Sequence, residues 1–97
     1  MEKVIIRSES AGVFYGELVN KEICGDRLIV EMANCRRIFY WSGAATLSQL
    51  AVEGTKSPED CKFTMMVESI TITGVIEIIP CSEDAINSIE GVKVWKV

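Results

Sequence analysis

From Val4 to Trp41 the apolar residues fall in short runs separated by turn-forming residues. The runs are too brief, and too rich in β-branched and aromatic side chains, to be helices. Val4 to Ile6 read as a first strand. After Ser10-Ala11-Gly12, Val13 to Val19 read as a second, and Gly25-Asp26 supplies the next turn. Leu28, Val30 and Met32 alternate through a third strand, Asn34 marks a further turn, and Arg36 to Trp41 form a fourth. Four such strands with tight connections predict an antiparallel meander that curls on itself.

The period changes at Thr46. Thr46-x-x-Gln49 is a capping-box pattern, Leu47, Leu50 and Ala51 follow at helical spacing, and Gly54 is a natural C-terminal stop. Ser57-Pro58-Glu59-Asp60 predicts one further turn of helix, with serine as cap and proline in the first turn. Ile70 to Thr73 and Val75 to Ile79 read as strands, and the second is apolar on both faces, which suits a central position. Pro80 ends it. Ser82 then caps a short helix that turns Ala85, Ile86 and Ile89 to the core, and Val92 to Trp95 form a terminal strand. The expected fold is α+β: one domain over residues 1–97, a small curled antiparallel β-sheet or partly open barrel with two short helices.

With 97 residues there is material for one core. The longest apolar runs are far short of a membrane span, and the N-terminal residues lack the long apolar segment of a secretory signal, so the expected setting is intracellular. Cys24, Cys35, Cys61 and Cys81 contain no C-x-x-C pair, which points to buried free thiols. Histidine is absent, and with it the usual zinc spacings, so neither a metal nor another cofactor is expected. Catalysis is disfavoured on the same ground. No Cys-His or Ser-His pair can form, and the carboxylates are scattered.

Residues 1–48 carry six basic and six acidic side chains, whereas residues 49–97 carry four and eight, so the net charge of −4 resides in the C-terminal half. That balance argues against nucleic acid as a general partner. A small anionic ligand is placed more easily in the N-terminal half. There, Arg36-Arg37-Ile38-Phe39-Tyr40-Trp41 alternates cations and aromatics along a strand, with Arg37, Phe39 and Trp41 on one face and Arg36, Ile38 and Tyr40 on the other. The face of Phe39 and Trp41 has more apolar area to bury. An arginine beside an aromatic can hold a phosphate or carboxylate while the ring stacks a flat group. The same arginine could instead lie over the sheet or pair with Glu17 or Glu31. Gly43 and Ser48 flank the start of the first helix, where unpaired N–H groups attract anions. Arg7 precedes the turn Ser8 to Gly12, Tyr15 follows it, and a curled sheet would bring that turn toward Arg36 and Arg37. The candidate ligand-binding residues are Arg7, Tyr15, Arg36, Arg37, Tyr40, Trp41, Gly43 and Ser48; no residue is proposed as catalytic or metal-binding.

Val4-Ile5-Ile6-Arg7, Ser10-Ala11-Gly12-Val13, Arg36-Arg37 with Tyr40-Trp41, Gly43 to Gly54, and Val75 to Cys81 together resemble a family of small phage and prophage proteins that is itself a domain of unknown function. The resemblance spans nearly the whole chain. It implies a bacterial host cytoplasm and assigns no site residues. The order of the first four strands is also similar to SH3-like and Sm-like barrels, which implies a small fold that often forms oligomers.

The expected function is that of a non-enzymatic phage accessory protein. It would bind a small anionic ligand, such as one derived from a nucleotide, as a homo-oligomer and so act in counter-defence. The alternative is a protein-interaction module that inhibits a host protein through Glu77, Glu83, Asp84 and Glu90. A third reading is an RNA-binding Sm-like oligomer centred on Arg36 and Arg37, which the acidic balance disfavours.

Overall fold

The structure is a computed structural model that describes residues 1–97. In chain order the elements are β1 (Lys3–Ser8), β2 (Gly12–Cys24), β3 (Arg27–Tyr40), α1 (Leu47–Glu53), a 3₁₀ turn (Pro58–Asp60), β4 (Lys62–Phe63), β5 (Val67–Ile72), β6 (Val75–Pro80) and α2 (Glu83–Gly91). The sheet runs β4-β3-β2-β1-β6, and β5 pairs with β3 alongside β4. Every ladder between the strands is antiparallel. The short Thr73-Gly74 link carries the chain from β5, on one edge of the sheet, to β6 on the other, so the sheet must curl. The result is an α+β fold built on a curled half-barrel.

Both faces of this sheet are covered, which explains why its strands are apolar on both sides. Val4, Ile6, Phe14, Val30, Met32, Cys35, Ile72 and Val75 fill the concave interior. Ile5, Tyr15, Ile38 and Phe63 pack on the opposite face against Leu47, Leu50 and Ala51 of α1 and Ala85 and Ile89 of α2. Neighbours in sequence therefore serve different cores: Ile5 lies between Val4 and Ile6, and Tyr15 follows Phe14.

The helix signals are realised closely. Thr46 Oγ1 accepts from Gln49 N, Gln49 Oε1 accepts from Ala45 N at 2.7 Å, and Gly54 closes α1 at φ 79°. Ser82 caps α2 through Ala85 N, and its own N–H donates to Ala51 O, which ties the two helices together.

Several expectations are corrected. Asn34 is not a turn. It is a bulge within one continuous strand, and residues 27–40 form β3 rather than two separate strands. Between the pairs Tyr15↔Arg36 and Glu17↔Ala33, β3 holds one residue more than β2, and Asn34 takes up the excess at φ 46°. Gly16 opposes the bulge; a Cβ there would stand 2.8 Å from Cys35 Cα. β6 is an edge strand, not a central one, and it ends at Pro80, where an edge tolerates the missing N–H. The expected terminal strand is reduced to one parallel bridge, Phe63↔Val94. β4 was not expected at all. All four cysteines are free, but only Cys35 and Cys61 are buried, and Cys24 is exposed. No helix is long and apolar enough to cross a membrane.

Candidate functional site

The bulge at Asn34 decides what the two arginines do. Val30 and Met32 face the concave core; beyond the bulge the odd-numbered Cys35 takes that side, so Arg36 and Ile38 turn toward the helices. Phe39, expected on a buried face with Trp41, therefore lies on the side away from the helices, while Trp41, past the end of β3, packs on the helix side instead. Phe39 is 61% exposed, while Arg36 is only 3% exposed.

Arg36 spends its donors inside the protein. Nε donates to Thr64 O at 2.9 Å, Nη1 to Ile89 O and Val92 O at 3.0 Å each, and Nη2 to Phe63 O at 3.1 Å. Two of these carbonyls lie at and just beyond the C-terminal end of α2, where the helix dipole favours a cation. Burial lowers the guanidinium pKa from its ordinary value, and no carboxylate pairs with it. Arg36 is thus a clamp joining β3, β4 and the α2 exit, with no donor face free for a ligand.

Tyr15 is likewise engaged. Its hydroxyl donates to Glu90 Oε2 at 2.6 Å, and Lys3 Nζ donates to the same oxygen at 2.8 Å. Burial, and then the Glu90 carboxylate, push the Tyr15 pKa up. Burial alone would raise Glu90, but the bonds from Lys3 and Tyr15 outweigh it and hold the carboxyl below its ordinary range. Glu90 in turn raises Lys3.

The first helix offers no anion site. α1 has seven residues, and Thr46 and Gln49 cap each other's segment, so the N–H groups of Ala45 and Gln49 are taken. Gly43 has a backbone role: at φ 80° it abuts the Thr55–Ser57 loop, where a Cβ would lie 2.7 Å from Lys56 N, and its carbonyl accepts from that N–H at 3.1 Å. Ser48 is exposed on α1. Arg7 sits 4.0 Å from Glu77 and points to the opposite face of the sheet from Arg37. Tyr40 is half exposed at the end of β3.

What remains is a groove of about 600 Å³ between the Ser10–Val13 turn and the end of β3, walled by Arg37, Ile38, Phe39 and Trp41. The expected approach of that turn to the arginine strand is present, and it reaches Arg37 rather than Arg36. The Arg37 guanidinium lies 4.7 Å from the Phe14 ring centroid, is exposed, and forms no ion pair with Glu17, Glu31 or any other carboxylate. Trp41 is half-buried against the helix-side core. The groove can hold an anionic group beside a flat apolar one.

Phe39 stacks on Trp95, with ring centroids 5.1 Å apart and planes 15° apart, and Lys62 Nζ lies 5.5 Å from the Trp95 centroid. Trp95 was missed from sequence. Its signal is the Lys93-Val94-Trp95-Lys96 alternation, which reads as an ordinary terminal strand until β4 places it beside Phe39. The acids of the C-terminal half are dispersed: Glu90 is engaged by Tyr15 and Lys3, Glu77 faces Arg7, and Glu83 and Asp84 occupy the first turn of α2.

The surroundings of Cys35 and Cys81 favour the neutral thiol over the nucleophilic thiolate. Burial pushes the Cys35 thiol up to about 12 despite the nearby Arg37, and the Cys81 thiol up to about 11. The thiols and carboxylates are not gathered into a group of three or more that could hold a metal ion.

No curated protein and no solved structure matches this chain. A family model described as a domain of unknown function (DUF6948) matches residues 1–89, and the chain belongs to that family.

Proposed function

We propose that the protein is a non-enzymatic phage accessory protein that holds a small anionic, nucleotide-derived ligand and so withdraws it from a host defence signal. The observation that carries this reading is Arg37: an exposed guanidinium without a carboxylate partner, in a groove whose other walls are Ile38, Phe39, Trp41 and the small residues of the Ser10–Val13 turn. A phosphate meets the arginine fork, and a base lies against the aromatic wall. The groove is open to solvent, which suits closure by a second copy of the chain in a homo-oligomer. The test is calorimetry against linear and cyclic nucleotides. Heat is expected with at least one of them, lost in Arg37→Ala and retained in Ser48→Ala; no heat with any nucleotide would overturn the proposal.

A second reading, docking on a host protein, is supported by the consecutive Met65, Met66 and Val67, which are 51%, 42% and 41% exposed. Flexible methionines at a surface suit adaptable protein contacts. Recovery of a host protein by the wild-type chain and by Arg37→Ala, but not by Met65→Ser/Met66→Ser, is the outcome that reading requires.

A further inference from the structure

The ion pairs of this protein are Lys3–Glu90, Arg7–Glu77 and Arg27–Glu9. Arg37, Lys62, Lys93 and Lys96 are exposed and have no carboxylate within 4.0 Å. All four gather about the Phe39–Trp95 stack. Arg37 shares a groove wall with Phe39, Lys62 lies over the Trp95 ring, and Lys93 and Lys96 line a second depression of about 690 Å³ together with Trp95, Pro58 and Glu59. The stack is thus a ridge between two depressions, with cations on both sides and one carboxylate, Glu59, on the lining. Phe39 and Trp95 remain 61% and 45% exposed, an aromatic surface that a soluble domain keeps open where something covers it.

We propose that this ridge and its two flanking depressions form a track for single-stranded nucleic acid. Bases stack on Phe39 and beside Trp95, while Arg37 on one side and Lys62, Lys93 and Lys96 on the other take the phosphates. Unpaired bases are required because the exposed ring faces offer stacking, which a duplex cannot supply from its interior. The net charge of −4 does not oppose this, because Glu59 is the one acid on the lining of the two depressions, against Arg37, Lys93 and Lys96, so the ridge keeps a local excess of cations. The site goes beyond a mononucleotide in the Arg37 groove: it requires Trp95, Lys93 and Lys96, none of which lines that groove.

The experiment is fluorescence anisotropy of labelled oligothymidylate and oligouridylate across a salt series. Four cations releasing counter-ions from a single strand give a slope of log K against log salt of about −2.8. Lys93→Gln/Lys96→Gln, at exposed positions outside both cores, is expected to reduce that slope to about −1.4. Trp95→Ala is expected to weaken binding about tenfold with the slope preserved, through lost stacking. Arg37→Ala removes about 0.7 from the slope and leaves the strand bound, whereas it abolishes the mononucleotide heat, so the two sites fail separately. The proposal is overturned by no binding at about 50 mM salt, by equal affinity in the Lys93→Gln/Lys96→Gln protein, or by equal displacement with duplex or polyglutamate, which would mark a general polyanion surface or an acidic protein partner.

Discussion

Arg36 and Arg37 are adjacent in β3 and serve opposite faces of the sheet: Arg36 donates to four backbone carbonyls under the helices, while Arg37 lies exposed over Phe14 with no anionic partner. The bulge at Asn34 sets this division, because the extra residue exchanges the two faces beyond it. One arginine builds the fold, and the other is left without an anionic partner.

Replacing Arg36 with methionine is expected to destabilise the protein by at least about 3 kcal/mol, since several buried carbonyls lose their donor at once. Arg37→Ala should cost less than about 1 kcal/mol, the scale of an exposed cation over a ring. Urea unfolding of the two variants checks the contrast.

Asn34 holds a left-handed backbone that glycine adopts freely and β-branched residues resist. Asn34→Gly is expected to fold with stability near that of the wild type, and Asn34→Val to lose about 1 to 2 kcal/mol. The comparison of denaturation midpoints separates backbone strain from loss of the Asn34–Glu17 hydrogen bond, which both variants lack.

Gly43→Ala is expected to cost about 2 kcal/mol or more, through positive φ and collision with the Thr55–Ser57 backbone. A thermal melt reads the loss. Ser48→Ala, on the exposed side of α1, should leave the melting temperature unchanged.

Stability should fall at both ends of the pH scale, for different reasons. Glu90 has a folded pKa below its ordinary value of 4.5, so its contribution is present above that value and is lost as pH falls through the folded one. Cys35, Cys81, Tyr15 and Lys3 are all raised, so theirs is present below their ordinary values and fades as pH rises, beginning with the thiols at 9.0. Urea midpoints should decline from about pH 9 upward. Cys81→Ala should flatten the decline between its ordinary value of 9.0 and about 11, and Glu90→Gln should flatten the acid limb instead.

The fold was legible in sequence wherever local chemistry acts alone. Thr46 with Gln49, Ser82, Gly54 and Gly25-Asp26 each sit where their hydrogen-bonding and backbone preferences put them, and Pro58 opens the 3₁₀ turn, although the Ser57 side chain makes no capping hydrogen bond there. Asn34 misled because a left-handed asparagine serves a turn and a bulge equally well; only the partner strand, with Gly16 opposite, distinguishes them. β6 looked central because both its faces are apolar, and that follows from a sheet covered on both sides, not from its place in the order. The site was legible as a stretch but not as a selection. Counting apolar area along Arg36–Trp41 favours the Phe39 side, yet α1, α2 and the Phe63 strand arrive on the other. Trp95 and β4 reach Phe39 from more than twenty residues away in sequence, so no local pattern announces them.

The most direct test of the Arg37 groove uses the two tryptophans. In a Trp95→Phe background, Trp41 alone reports, and it lines the groove. Titration with the nucleotide panel is expected to change Trp41 emission saturably with at least one member, and Arg37→Ala in the same background is expected to abolish the change. Emission that stays constant with every nucleotide, or a change that survives Arg37→Ala undiminished, would contradict the assignment.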